Sequence, residues 1–255
     1  MPSPAPLHRV RAANTAPDSE NKIHDDRVAA QYGFRGGLVP GVTVYGYMTV
    51  PVIAHFPDWI ERGTMQVRFL EPFYDGDEVI VKVEPRADGS LAVTAERGEG
   101  TLCAVASAAL RPSTELAPES TAYPQAPLPA PDQRPAPSAL NLLAGAPLGT
   151  IACTLESADP AELLQLSNEV LVRNFRLGPW IHTASEINNW GRARAGEPIS
   201  ARARVHDRFD RKGHHLVVLD VMLLSDQAGP IQTVRHTAIY RLRPPAAIPG
   251  DAVLR

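Results

Sequence analysis

A histidine stands in a polar, acid-flanked stretch, Asn21-Lys22-Ile23-His24-Asp25-Asp26. A glycine-rich turn follows it at Gly33-Phe34-Arg35-Gly36-Gly37-Leu38-Val39-Pro40-Gly41. Imidazole is the side chain whose ordinary pKa suits proton transfer near neutrality. A turn that opens an apolar helix offers free backbone N–H groups at the positive end of that helix. A reaction passing through an oxyanion needs both parts. Losing one such donor typically costs about 10²–10³ in rate. A general acid or base contributes roughly 10²–10⁴.

These parts must be held by particular elements. Asp25 and Asp26 suit the start of a short helix, where acidic side chains complement the dipole. A second helix is predicted from Gly41 through Val42-Thr43-Val44-Tyr45-Gly46-Tyr47-Met48-Thr49-Val50. It is apolar on every side, so it must be buried. Pro51 is expected to kink or end it. Another helix is predicted over about 161–175, where Asp159-Pro160 supplies an N-cap and an N1 proline, and Gly178-Pro179 a stop. Tyr45 and Tyr47 read as core aromatics, one of which could turn its hydroxyl toward the site.

The chain repeats itself. Asp75-Gly76-Asp77-Glu78-Val79-Ile80-Val81 reads as a turn and an alternating strand, and Ala195-Gly196-Glu197-Pro198-Ile199-Ser200-Ala201 reads the same way 120 positions on, from Gly76 to Gly196. Asp88-Gly89 and Lys212-Gly213 mark the next turns, and each half ends Leu-Arg-Pro, at Leu110-Arg111-Pro112 and Leu242-Arg243-Pro244. Initial strands are expected near Leu7–Ala13 and Gly149–Glu156. Repeated turn chemistry with period-two strands means one small β-unit twice. The proline-rich stretch between them reads as a linker, 112–146, joining units at 1–111 and 147–255. A helix apolar all round followed by an antiparallel meander implies a sheet wrapped about it. Two such units can pair edge to edge into one long sheet, which hides their edge strands.

Composition excludes several classes. The 255 residues are 44% hydrophobic with a formal net charge of −3, enough for a core and without the basic excess of a nucleic-acid binder. Arginines alternate along the strands of the second half, as on a solvated face. The two cysteines, Cys103 and Cys153, lie in apolar segments and read as small buried thiols. No metal-type spacing or membrane span is seen, and the start, Met1-Pro2-Ser3-Pro4-Ala5-Pro6, has no apolar signal core, so a cytoplasmic location is expected.

The order of strand, His-bearing loop, short helix, Gly-rich turn, buried helix and meander resembles the hot-dog fold. The Asn21-x-Ile23-His24-x-Asp26 loop and the Gly37-x-Val39-x-Gly41 turn resemble the MaoC-like (R)-specific enoyl-thioester hydratases and dehydratases. The resemblance implies an α+β double hot-dog, a pseudo-dimer in one chain. It implies hydration of 2-enoyl thioesters or dehydration of 3-hydroxyacyl thioesters, on acyl-CoA or acyl-carrier-protein substrates. No cofactor or metal is implied, and a homodimer is possible. His24 maps onto the family histidine, Asn21 onto the asparagine three before it, Asp26 onto the acid two after it, and Gly41 onto the glycine whose N–H binds the thioester oxygen. The family's catalytic Asp lies five before the histidine, where this chain has Ser19; Asp18 and Glu20 flank that position. The expected constellation is therefore His24 with Asp18 or Glu20 facing the Gly41 N–H, supported by Ser19, Asn21 and Tyr45.

The second half has no histidine in the equivalent loop and is expected to shape an acyl tunnel. His182 follows Trp180-Ile181 and reads mainly as core. His206, His214, His215 and His236 read as a solvated strand face or hairpin tip. Two other activities stay open: thioester hydrolysis or a tailoring lyase reaction on the same fold, and a non-catalytic acyl-binding subunit.

Overall fold

The computed structural model describes residues 7–244. The proline-rich start at 1–6 lies outside the described residues. The first half runs β1 (Leu7–Arg11), α1 (Asp26–Gln31), α2 (Gly41–His55), α3 (Trp59–Arg62), β2 (Gly63–Phe69), β3 (Glu78–Pro85), β4 (Leu91–Arg97) and β5 (Leu102–Leu110). The second runs β6 (Pro147–Thr154), α4 (Pro160–Asn174), β7 (Ile181–Asn189), β8 (Pro198–Arg211), β9 (His214–Ser225) and β10 (Gly229–Arg241).

All ten strands form one antiparallel sheet in the order β1-β3-β4-β5-β2-β7-β10-β9-β8-β6. Read from either edge inward, each half has the same order: first strand, third, fourth, fifth, second. The halves meet where β2 pairs with β7, with Met65 opposite Ile187 and Val67 opposite Ser185. That pairing satisfies the edge both units would otherwise expose. Turn chemistry follows the repeat. Gly89 has φ +82°, and the tight β8–β9 hairpin holds Lys212 and Gly213 both at positive φ, as a two-residue primed turn requires.

The sheet curves over α2 and α4. Val42, Val44, Tyr45, Met48 and Val52 of α2 are all buried. The helix carries Pro51 inside it and continues to His55, so the proline does not end the helix. Its only necessary cost is one missing N–H donor, which burial of the surrounding apolar faces outweighs. The two helices touch closely: a Cβ on Gly46 would stand 3.1 Å from the Ala161 Cβ. A single core cluster spans both halves, from Val79 and Val93 to Val221 and Val234.

The segment between the halves lies against the second unit. Thr150 N–H donates to Ala126 O (2.9 Å), Arg176 N–H to Pro135 O (2.9 Å) and Gly145 N–H to Val205 O (2.8 Å). No helix among the described residues is long and apolar enough to cross a membrane.

Candidate active site

The loop that carries His24 is fastened at four points, three of them to the glycine-rich turn and one to Asn14. Leu38 N–H donates to Ile23 O (3.1 Å). Gly37 N–H donates to Asp26 Oδ1 (2.7 Å). Asn14 Nδ2 donates to His24 O (2.8 Å). The fourth is the imidazole itself, whose Nδ1 lies 2.6 Å from Leu38 O. Only glycine fits at 37, because a Cβ there would stand 2.0 Å from His24 O. Asp25 caps α1 by accepting from Val28 N–H, as expected of a first-turn acid. Asp26 does something else, holding the turn that faces the histidine.

The tautomer of His24 follows from its neighbours. Asn21 Oδ1 accepts from Trp180 N–H (3.1 Å), and Asn21 Nδ2 donates to Trp180 O (3.0 Å). This pair of backbone contacts fixes which way the amide faces. Its second N–H therefore points at His24 Nε2, 3.2 Å away. Nε2 must be the lone-pair nitrogen, and Nδ1–H donates to Leu38 O. Burial lowers the His24 pKa, and the Leu38 carbonyl only partly offsets this. The ring is a neutral base with a polar partner on each nitrogen.

His24 lies at the junction of two cavities that also share Asn21, Pro40, Asn168 and Trp180. One, of about 750 Å³, is walled by charged side chains including Glu20, Arg134, Glu162 and Arg173. The other, of about 250 Å³, is lined mostly by apolar side chains such as Phe34, Val39, Val44 and Phe73. Gly41 opens α2 on the wall of this smaller cavity. Pro40 is the N-cap and has no side chain to bond the first turn. Its carbonyl accepts from Thr43 and Val44, so the N–H groups of Gly41 and Val42 have no acceptor within the described residues. A Cβ at Gly41 would press against Phe69 at 3.2 Å and His182 Nδ1 at 3.1 Å.

The expected carboxylate partner is not brought to the ring. Asp18 is exposed and lines neither cavity. Glu20 lines the larger cavity, but its oxygens accept from Arg134 Nη1 (2.9 Å) and Nη2 (3.1 Å). The hydrogen bond from Arg134 holds the Glu20 carboxyl below its ordinary pKa. Ser19 lines the same cavity and donates its hydroxyl to Asn21 O (3.3 Å). Tyr45 is fully buried with an unpartnered hydroxyl and lines neither cavity, so it supports α2 and not the site. Tyr47 turns its hydroxyl to Ala13 N–H.

Residues of the second unit complete the walls, among them Asn168 on α4, Trp180 and His182. His182 was expected mainly as core and His236 on a solvated face. His182 is buried, as a core reading expects, and also lines the smaller cavity, while His236 is not at a solvated face but fully buried against the His182 ring, with ring centroids 4.3 Å apart. The reason is the β2–β7 junction, which turns the start of β7 toward the start of α2 in the other half. Its only sequence trace was the repeat, which makes β7 the counterpart of β2. His206 and His215 do sit at the surface, paired with Asp220 and Asp210. Among the described residues no group of three His, Cys, Asp or Glu side chains is placed to hold a metal. Both cysteines are free, Cys103 buried and Cys153 half-buried.

No protein-family model matches the chain, and no curated protein matches it by sequence. Solved structures do match in shape. A conserved Mycobacterium tuberculosis protein described as a double hot-dog is 14% identical, with a TM-score of 0.59 over 93% of this chain and 96% of that one. The dehydratase domain of RzxB from Pseudomonas fluorescens is 12% identical, with a TM-score of 0.59 over 91% and 93%. An acyl-CoA thioesterase II from Mycobacterium marinum is 14% identical, with a TM-score of 0.56 over 79% and 88%. With its doubled order of strands around two central helices, the chain has the double hot-dog fold.

Proposed function

We propose that the chain adds water across 2-enoyl thioesters, or removes it from 3-hydroxyacyl thioesters, in the manner of the MaoC-like hydratases its loop resembles. One observation carries the reading. A neutral imidazole and Gly41, with its open N–H, line one cavity that continues, past His24, into a larger polar one lined by Val42. The apolar cavity suits the acyl group and the polar one the thiol arm of CoA or a carrier protein.

In the dehydration direction, the substrate displaces the Asn21 N–H from the His24 Nε2 lone pair, which then takes the proton from C2 of the 3-hydroxyacyl thioester. The thioester oxygen gains negative charge and is held by the Gly41 and Val42 N–H groups. As the C2=C3 bond forms, the C3–O bond breaks, and the proton on Nε2 goes to the departing hydroxyl to make water. One group acting twice requires no second acid, consistent with a ring that has no carboxylate bonded to it.

The test is conversion of crotonyl-CoA and 3-hydroxybutyryl-CoA, followed by enoyl absorbance and by thiol release. We expect absorbance to change without free thiol, and His24→Ala to abolish the change. Thiol release instead would identify hydrolysis. No reaction across acyl lengths would overturn the proposal and leave an acyl-binding subunit.

A further inference from the structure

His182, on the wall of the apolar cavity, holds a buried nitrogen without a partner. The residue is 6% exposed, lines that cavity, and its Nδ1 has no hydrogen-bond partner among the described residues. The nitrogen faces the start of α2, 3.1 Å from the point where a side chain on Gly41 would begin. The Phe69 ring meets it edge-on, at 4.9 Å between centroids.

The proton on this ring is placed by a short chain of contacts. His182 Nε2 lies 2.8 Å from Ser185 Oγ, and Ser185 Oγ lies 3.3 Å from His236 Nδ1. His236 Nε2 is fully buried without a partner. When the Ser185 hydroxyl donates to one ring, the other polar end of the chain keeps an N–H without an acceptor; His236 Nε2 lines no cavity, whereas His182 lines the one where a bound thioester oxygen can accept, so the His236 proton belongs on Nδ1, donating to Ser185. The Ser185 hydroxyl then donates to His182 Nε2, and the His182 proton is left on Nδ1. Both rings are kept neutral by burial. Two further second-unit residues that line this cavity, Asn168 and Trp180, also keep a buried polar atom without a partner, Oδ1 and Nε1.

We infer that His182 is a third oxyanion donor, a neutral imidazole whose Nδ1–H joins the Gly41 and Val42 N–H groups at the thioester oxygen. A neutral imidazole polarises a carbonyl without first having to give up its own proton. Ser185 and His236 are positioning residues that hold the tautomer. The inference rests on the hydration reading, because it assigns the same cradle to an acyl thioester. It makes the double chain necessary: one half supplies the base and the other a donor.

The experiment combines a spectroscopic and a kinetic readout. In ¹⁵N-edited spectra of the full chain, the His182 ring is expected with its proton on Nδ1. That proton should move downfield on adding butyryl-CoA, a saturated thioester that cannot be hydrated. His182→Phe should lower kcat about 10²–10³-fold, the usual loss for one oxyanion donor, with little change in KM. His182→Asn, which restores an N–H near the same point, should recover part of it. A proton on Nε2, a resonance unmoved by bound butyryl-CoA, or a folded His182→Phe variant with unchanged kcat would each overturn the inference. Conversion of crotonyl-CoA with the resonance unmoved sinks the donor and keeps the hydration reading. A shifted resonance without turnover keeps the donor and sinks the hydration reading.

Discussion

Acid should unfold this protein earlier than its carboxylates alone would dictate, because folding buries neutral imidazoles. His236 is fully buried, and burial lowers its pKa from 6.5 to about 3. His182 shifts the same way, through burial first and the neighbouring His236 ring second. Between the two pKa values the unfolded chain binds a proton that the folded chain does not, so stability rises with pH through that window. The contribution is complete above pH 6.5 and is lost as the pH falls below it. For His236 alone the loss is about 2 kcal/mol at pH 5 and about 3 kcal/mol at pH 4, from about 1.4 kcal/mol per pH unit. His182 adds to it with the same sign. Urea unfolding at pH 7 and pH 5 would measure this. With a slope of about 2 kcal/mol per molar, the midpoint should fall by about 1 M or more. His236→Asn keeps a polar group near Ser185 and removes the titration, so its stability should depend less steeply on pH. If the wild-type midpoint does not move between these pH values, or His236→Asn keeps the full slope, the buried-neutral account is wrong.

Much of the fold was legible because it is written in local chemistry. Gly76 and Gly196 both sit at positive φ before a strand, and the Asp159 cap and Pro160 start α4 where their chemistry says a helix begins. Those signals need only near neighbours. Pro51 does not end α2, because propensity is local while the helix is held by burial from both sides. The site was legible only where one loop builds it. His24, Asn21 and Gly41 come together, since the fastening between residues 23–26 and 37–38 is short-range. Asp18 and Glu20 were candidates by spacing alone, and spacing does not reveal that Arg134, 114 residues on, takes Glu20 for itself. His182 and Asn168 reach the cavities through the β2–β7 junction and the helix crossing, with His236 packed behind His182, and no local pattern marks such contacts.

The asymmetry of the halves has a physical reading. The same order of strands occurs twice, yet only the first half has the histidine loop, while Asn168, Trp180 and His182 all come from the second. Two identical halves would make two cradles, each with half its donors repeated. A chain that keeps one cradle can give the other half's polar side chains to its walls. Asn21 joins the two directly, since its amide is bonded to the Trp180 backbone on one side and faces the His24 ring on the other.

Four further outcomes are expected. Gly37→Ala should cost about 3 kcal/mol and most of the activity, because the added carbon overlaps a backbone oxygen that cannot turn aside; thermal melts and turnover check it. Glu20→Gln should change stability by less than about 1 kcal/mol, since its side chain is 74% exposed, and should leave turnover intact; a large loss of kcat would restore it as the base. The acid limb of kcat/KM should lie below the ordinary histidine value of 6.5, because burial keeps His24 neutral to lower pH. Asn21→Asp tests the tautomer itself. One carboxylate oxygen can still accept from Trp180 N–H, and the other then faces His24 Nε2 where an N–H donor stood. A carboxylate there favours a proton on Nε2, making the ring an imidazolium with Nδ1–H still on Leu38. The His24 pKa should rise by about 1–3 units, and the acid limb of kcat/KM should move up with it. Turnover at pH 7 should fall, because a protonated Nε2 has no lone pair for the C2 proton. A His24 titration unchanged in this variant would mean that Asn21 does not face the ring with its N–H, and the assignment of Nε2 as the base would fall with it.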